Sequence, residues 1–176
     1  MYIWIGCKLP EDFETELRSH CLAANRHIGL NTAAFSLPQH ISLKISFHTP
    51  DHEAVLTELT EFLSTLQPFT ILLGCAEQCG NILWLPVEEN VILQKLHNAL
   101  DTRLRERFKI PQHPFDKDFL FHTTLFIDKD IYKLSIMERA MTEFPVPREL
   151  HIDTFLLGLS PDGTPGSYRV VRTIKV

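Results

Sequence analysis

The chain has 176 residues, of which 44 % are hydrophobic and 22 % are charged, and its formal net charge at pH 7 is −5. These values are typical of one globular domain that buries its own core, and they exclude a disordered or collagen-like protein. A negative net charge repels a nucleic-acid backbone, so we expect no binding along long duplexes. A short phosphate ligand held by local groups is compatible with this charge.

No segment of the chain predicts a membrane partner or a secretion signal. The longest apolar stretch, 81–87, is far shorter than the ~20 apolar residues that span a bilayer. The first seven residues carry no basic leader, and they run into Glu11 and Asp12, unlike a secretory signal. We therefore expect a cytoplasmic protein.

The four cysteines are too few to form a disulfide framework in a chain of this length. Cys75 and Cys79 suggest part of a metal site, but no second cysteine pair or nearby cysteine–histidine cluster completes four ligands. We expect neither a bound metal nor a cofactor.

The first half of the chain alternates strands with amphipathic helices. A strand is predicted at 2–7 and a helix at 10–26, because Pro10 suits a first helical turn and acidic residues follow it at the positive end of the helix dipole. Apolar residues from 52 to 66 recur at helical spacing behind Asp51, a residue type that caps helix N-termini.

Residues 40–47, between these two helices, alternate strictly between polar and apolar side chains. This pattern predicts a strand with one buried face. Its polar face carries four side chains: His40, Ser42, Lys44 and Ser46.

The second half continues the alternation. Strands are predicted at 69–77 and 81–88, joined by a hairpin turn at Gly80-Asn81. Leucines at helical spacing predict a helix that ends near Phe108. The last predicted elements are a strand at 119–127, a helix at about 131–143 and two strands at 149–159 and 167–176.

The predicted elements repeat in the same order in both halves. His40-Ile41-Ser42-Leu43 is matched by His122-Thr123-Thr124-Leu125, 82 residues later. We therefore predict one α+β domain over 1–176, built from two ferredoxin-like βαβ lobes that are related by a pseudo-twofold axis and face each other across a central cleft.

The two His-x-Ser/Thr motifs are candidate catalytic groups. Nine histidines produce one such tetrad by chance, but two on matching strands of a repeat are a much stronger signal. Residues two apart on a strand share a face, so His40 is paired with Ser42 and His122 with Thr124. The alternative is that these are partly buried polar residues whose hydrogen bonds are satisfied by their neighbours.

Further residues are predicted around these motifs. Lys44 shares the face of His40 and is a candidate phosphate-binding cation, although it is equally able to reach solvent. Phe126, on the corresponding face of the second strand, is a candidate to stack on a base or a packing residue. Tyr168 and Arg172, on the last strand, are candidate substrate contacts in the cleft.

With these motifs, the chain resembles the 2H phosphoesterases, whose bacterial members include enzymes called 2',5' RNA ligases or RNA 2',3'-cyclic phosphodiesterases. The resemblance covers essentially the whole chain, including segment 81–100 and the closing hairpin through Tyr168. It implies a two-lobed fold, a water-filled cleft and metal-independent chemistry on a phosphodiester. Many relatives carry a basic residue where this chain has Phe126.

The residue types fit that chemistry. Opening a cyclic phosphodiester needs one group to take a proton from water and another to protonate the leaving oxygen, and two histidines of near-neutral pKa do both. Ser42 and Thr124 then donate hydrogen bonds to the non-bridging oxygens. We expect turnover of a small nucleotide or RNA terminus by a monomer, with activity that rises and falls across roughly pH 5 to 8.

Two other functions compete with this one. A non-catalytic RNA-binding module needs exposed aromatic residues on a basic sheet, whereas these strands present histidines and hydroxyls. A metal-dependent hydrolase needs further ligands, and neither motif strand carries one before Asp128.

Overall fold

The computed structural model describes residues 1–176. Its nine strands are β1 (Tyr2–Lys8), β2 (His40–His48), β3 (Phe69–Leu73), β4 (Glu77–Cys79), β5 (Ile82–Pro86), β6 (His122–Ile127), β7 (Arg148–Ile152), β8 (Thr154–Ser160) and β9 (Arg169–Lys175). Its four α-helices are α1 (Glu11–Ile28), α2 (His52–Ser64), α3 (Val91–Phe108) and α4 (Ile131–Ala140). None of these helices is both long and apolar enough to cross a membrane.

Each of the two longest helices ends at a residue in the left-handed conformation. Pro10 precedes α1, which ends at Gly29 in the left-handed conformation that glycine adopts without strain. The Asn90 side chain accepts hydrogen bonds from two N–H groups in the first turn of α3, and Lys109 ends that helix in the same left-handed conformation. Asp51 precedes α2, but its side chain makes no capping hydrogen bond.

The strands form three antiparallel units. One sheet has the order β2-β1-β8-β9 and a second has the order β4-β5-β6. β3 pairs with β7, and an antiparallel bridge between Leu73 and Val87 joins the end of β3 to the segment after β5. β1 and β2 in the first sheet thus correspond to β5 and β6 in the second, and β8 corresponds to β4. This arrangement confirms the predicted α+β fold with two lobes.

The predicted closing hairpin forms between β8 and β9, but one other predicted hairpin and one predicted strand differ in the structure. The turn at Gly80-Asn81 joins β4 to β5, whereas β3 pairs with β7 and meets the predicted partner segment only at the bridge between Leu73 and Val87. The strand predicted at 149–159 is divided at Asp153, because β7 pairs with β3 and β8 pairs with β1 and β9. Both segments have strand periodicity, and periodicity does not specify the partner strand.

One cluster of 37 buried apolar residues forms the core. It includes Ile41 and Leu43 of β2 and Leu125 of β6, which lie on the buried faces of the two motif strands. Each motif is therefore built on a strand that is anchored from behind by packed side chains.

Candidate active site

His40 and His122 begin β2 and β6 and are held in the same way. The Nδ1 atom of His40 lies 2.7 Å from the carbonyl oxygen of Pro38, and Nδ1 of His122 lies 2.7 Å from that of Leu120. A carbonyl oxygen only accepts, so Nδ1 carries the proton in each ring. Nε2 of each neutral imidazole is then the acceptor, available for proton transfer.

Burial lowers the pKa of both histidines. For His40, burial and the positive charge of His122 lower the pKa, the hydrogen bond to Pro38 partly offsets them, and the pKa is about 4. Burial also lowers the pKa of His122, while its hydrogen bond to Leu120 acts in the opposite direction. Both rings are thus poised to be neutral near pH 7 in the unliganded protein.

The hydroxyl residues follow on the same strand faces. Ser42 and Thr124 are half-buried, whereas the residues between each histidine and its hydroxyl, Ile41 and Thr123, are fully buried. The predicted pairing of a histidine with a hydroxyl two residues later is consistent with this alternation.

A β-bulge follows each motif at the equivalent leucine. Ile5 and Gly6 of β1 pair with Lys44 and Ser42, which leaves Leu43 as the extra residue. Across β5 and β6, Leu83 pairs with Phe126 and Trp84 pairs with Thr124, which leaves Leu125 as the extra residue. The bulge turns the residue after each leucine toward the interior.

This change of face makes two sequence-based predictions wrong. Lys44 is 2 % exposed and its ammonium lies 2.7 Å from Asp101 and 2.5 Å from Asp116, so it is not a phosphate-binding cation. Phe126 is fully buried and packs edge-on against Phe35, so it does not stack on a base.

The Lys44 cluster instead fixes the segment that leads into the second motif. Burial alone raises the pKa of Asp116, but the Lys44 ammonium and the N–H groups of His113 and Ile45 hold it below its ordinary value. Asp116 thus ties the segment before β6 to β2. Its role is structural.

Tyr168 and Arg172 lie on opposite faces of the sheet. The Tyr168 hydroxyl is 2.5 Å from the hydroxyl of Ser46. Arg172 pairs with Leu157, and Leu157 pairs with Ile5, so all three lie on the core face of the sheet. Arg172 itself is exposed, because it lies on the edge strand. This register corrects the prediction that Arg172 lines the cleft.

Sequence analysis did not identify the two tryptophans beside the motifs. The Trp4 ring lies 4.1 Å from the His40 ring between centroids, and the Trp84 ring lies 4.2 Å from the His122 ring. They are the only tryptophans in the chain. A signal was available, because Ile3-Trp4-Ile5 and Leu83-Trp84-Leu85 occupy matching places in the repeat.

A hydrogen bond joins the two motif strands directly. The Thr123 hydroxyl, next to His122, donates to the side-chain oxygen of Gln39, next to His40, at 3.1 Å. Both side chains are buried. The Gln39 backbone N–H donates to Glu14, and its side-chain amide donates to the carbonyl of Ala34. These bonds set the relative position of the two histidines.

A cavity of about 440 Å³ opens beside His122. Trp84, Phe119 and Leu120 form apolar parts of its wall, and Glu88 and Asn90 lie at its polar part. A cavity of this size is within the range of small-molecule sites.

Comparison with known proteins gives a family and a set of similar folds. The family model described as the 2'-5' RNA ligase superfamily matches residues 14–158. A search of curated protein sequences finds no match.

Solved structures resemble this chain along nearly its whole length. The protein TT0787 of Thermus thermophilus has a TM-score of 0.68 at 20 % identity, with 99 % of this chain and 97 % of that chain covered. Escherichia coli LigT complexed with NADP+ has a TM-score of 0.62 at 18 % identity and coverage of 99 % and 96 %. Kluyveromyces marxianus Usb1 has a TM-score of 0.56 at 9 % identity and coverage of 99 % and 98 %.

These likenesses show the fold, and the family match covers most of the chain, including both motifs. They agree with the resemblance drawn from the two His-x-Ser/Thr motifs. The chain belongs to the 2'-5' RNA ligase superfamily of 2H phosphoesterases.

Proposed function

We propose that this protein is a metal-independent phosphodiesterase that opens a 2',3'-cyclic phosphate or acts on a 2',5' linkage of a nucleotide or RNA end. The observation that carries the proposal is the duplicated histidine geometry. His40 and His122 each anchor Nδ1 on a carbonyl oxygen two residues before and leave Nε2 free.

Two such imidazoles are able to carry out both proton transfers that opening a cyclic phosphodiester requires. One neutral ring takes a proton from water as its oxygen bonds to phosphorus, and the other, protonated, gives a proton to the sugar oxygen as the P–O bond breaks. Ser42 and Thr124 donate to the non-bridging oxygens and stabilise the charge that grows there. The roles of the two histidines exchange when this step runs in reverse, and ligation is the same ring opening with a sugar hydroxyl of a second RNA end in the place of water.

The cavity beside His122 supports a small nucleotide as substrate. Its aromatic and aliphatic wall suits the face of a nucleobase, and its carboxylates and amide suit the polar edge of the base. Structures of Escherichia coli LigT contain ATP and 3'-AMP. These complexes support a nucleotide as the ligand of the present chain as well.

The test is turnover by His40→Ala and His122→Ala. With a panel of 2',3'-cyclic nucleotides as substrates and EDTA present, each change is expected to lower kcat at least about 100-fold, because general acid–base groups contribute about that much or more. Thermal unfolding is expected to change little, since both histidines are only partly buried at the starts of their strands.

Leu43→Ala is the matched control for packing. It is expected to destabilise the protein by about 2–5 kcal/mol through cavity formation. Full activity of both histidine variants would refute the catalytic assignment. Nucleotide binding without turnover by the wild-type protein would favour a binding module, and activity that EDTA removes would favour a metal-dependent hydrolase.

A further inference from the structure

The two tryptophans occupy equivalent places but use their indole N–H groups differently. The Trp84 N–H donates to the carboxylate of Glu77 at 2.9 Å. The Trp4 N–H donates to the hydroxyl oxygen of Ser42 at 3.2 Å. The hydroxyl of the first motif is therefore held by a buried donor, and the indole of the second lobe is directed elsewhere.

The hydrogen bond from Trp4 restricts the direction of the Ser42 hydroxyl proton. A serine hydroxyl has one proton to donate and two lone pairs that accept. Because the indole occupies one lone pair, the hydroxyl proton points away from the indole. Ser42 shares the face of His40, so that proton is available to an anion bound beside the ring.

Two glycines hold the indole in this position. A Cβ atom at Gly6 would lie 2.7 Å from Cζ2 of Trp4, and one at Gly158 would lie 2.6 Å from Cε3. The ring thus lies directly on the backbone of β1 and β8, and only 6 % of Trp4 is exposed. A ring seated so closely keeps its N–H direction fixed before substrate arrives.

We propose that Trp4 is a positioning residue that orients the Ser42 hydroxyl toward a non-bridging oxygen of the substrate phosphate. This inference rests on the proposed phosphodiesterase function. It predicts that Trp4 acts on turnover through Ser42, in addition to its contact with the His40 ring, and that Trp84 has no such link to Thr124.

A double-mutant cycle tests the link. Trp4→Phe keeps an aromatic ring but removes the N–H, and we expect about a tenfold loss of kcat/KM with a 2',3'-cyclic nucleotide, mostly in kcat. In the Ser42→Ala background the same change is expected to lower kcat/KM less than about threefold, because the oriented hydroxyl is already absent and only the altered contact with the His40 ring remains.

The matched control is the corresponding cycle in the other lobe. The fold-losses of kcat/KM in Trp84→Phe and Thr124→Ala are expected to multiply in the double variant, so that the corresponding free energies add, because the Trp84 N–H donates to Glu77. If the free-energy losses from Trp4→Phe and Ser42→Ala also add, the inference is overturned.

A second measurement does not depend on turnover or on the stability of Trp4→Phe. The two indole N–H signals in an NMR spectrum are distinguished with Trp84→Phe. Ser42→Ala is expected to shift the Trp4 signal and leave the Trp84 signal in place, and inorganic phosphate is expected to shift the Trp4 signal only when Ser42 is present. An unmoved Trp4 signal would overturn the inference.

The two failures are distinguishable. Loss of activity in His40→Ala together with an additive Trp4–Ser42 cycle rejects the positioning role and leaves the proposed function intact. Full activity in both histidine variants rejects the function itself.

Discussion

Hydrogen bonding decides which groups near the two motifs are free to act on a substrate. Each catalytic candidate, His40 and His122, uses Nδ1 for a backbone carbonyl and keeps Nε2 free. Lys44 is engaged by two carboxylates in the interior and offers no charge to the cleft. Under the proposed function, a phosphate beside the two motifs would contact the imidazoles and hydroxyls, and a protonated ring would supply the positive charge that Lys44 does not.

The buried position of Lys44 gives a stability prediction. Lys44→Met removes the ammonium and leaves Asp101 and Asp116 buried with too little compensating charge. Breaking a buried pair in this way typically costs about 3–5 kcal/mol. We expect a loss of that size in the free energy of unfolding measured in urea.

Lys175→Met is the matched control, because Lys175 pairs with Asp153 at the surface, where its own side chain is 77 % exposed. This change is expected to lower the free energy of unfolding by no more than about 0.5 kcal/mol. Equal losses in the two variants would contradict the structural role of the Lys44 cluster.

At the scale of elements, the bulges after the two motifs separate each candidate site from the core. In both lobes, the histidine and the hydroxyl residue precede the bulge and share one face. Leu43 and Leu125 occupy the bulge, and the next residue turns inward. Each strand thereby contributes to the cleft at its start and to the packed interior at its middle.

The glycines beneath Trp4 give a prediction for the sheet. Gly158→Ala places a methyl group 2.6 Å from the indole in the middle of β8. Because the ring must move, we expect about 1–3 kcal/mol of destabilisation and a loss of kcat/KM. Both are measured on the purified variant by urea unfolding and steady-state kinetics.

The double variant Gly158→Ala with Trp4→Phe shows whether the indole is responsible. The smaller ring is expected to offset part of the lost stability, so the two losses should not add. If they add in full, the methyl group acts on another neighbour, such as the carbonyl of Arg169.

The strands and helices that local periodicity determines were predictable from the sequence. The pairing of His40 with Ser42 and of His122 with Thr124 needed only a period of two, because no bulge lies between them. Lys44 and Phe126 each follow the bulge of their strand. A strict alternation, which assumes no bulge, therefore predicted that they lie on the same face as the histidines, whereas they lie in the interior. Neither the bulge nor the pairing of β3 with β7 has a local signal in composition.

At the scale of the whole molecule, the site depends on both halves of the chain. Each lobe supplies one histidine, one hydroxyl and one tryptophan, and the buried bond from Thr123 to Gln39 connects the two strands. β8, near the end of the chain, pairs with β1 and supplies Gly158, one of the two glycines under Trp4. The two halves are therefore one functional unit, and the protonation of one imidazole affects the other.

This coupling gives a prediction for the pH dependence of kcat/KM, which reports the pKa values of the free enzyme. The reaction needs one imidazole neutral and one protonated, so the active fraction is largest between the two pKa values. Burial lowers both of them, that of His40 to about 4. The optimum of kcat/KM is thus expected below about pH 6.5, the usual pKa of histidine, at the acidic end of the range expected from sequence.

The pH dependence of kcat is expected to differ in a defined direction. A bound phosphate anion favours the protonated imidazole and raises both pKa values, so the alkaline limb of kcat lies at higher pH than that of kcat/KM. The two limbs belong to the coupled pair, and replacing either histidine is expected to remove one limb with most of the rate. Both profiles are measured with a 2',3'-cyclic nucleotide in EDTA at constant ionic strength. A kcat/KM optimum above pH 7 would contradict the lowered pKa values, because an unliganded site with both rings neutral lacks the acid that the leaving oxygen needs.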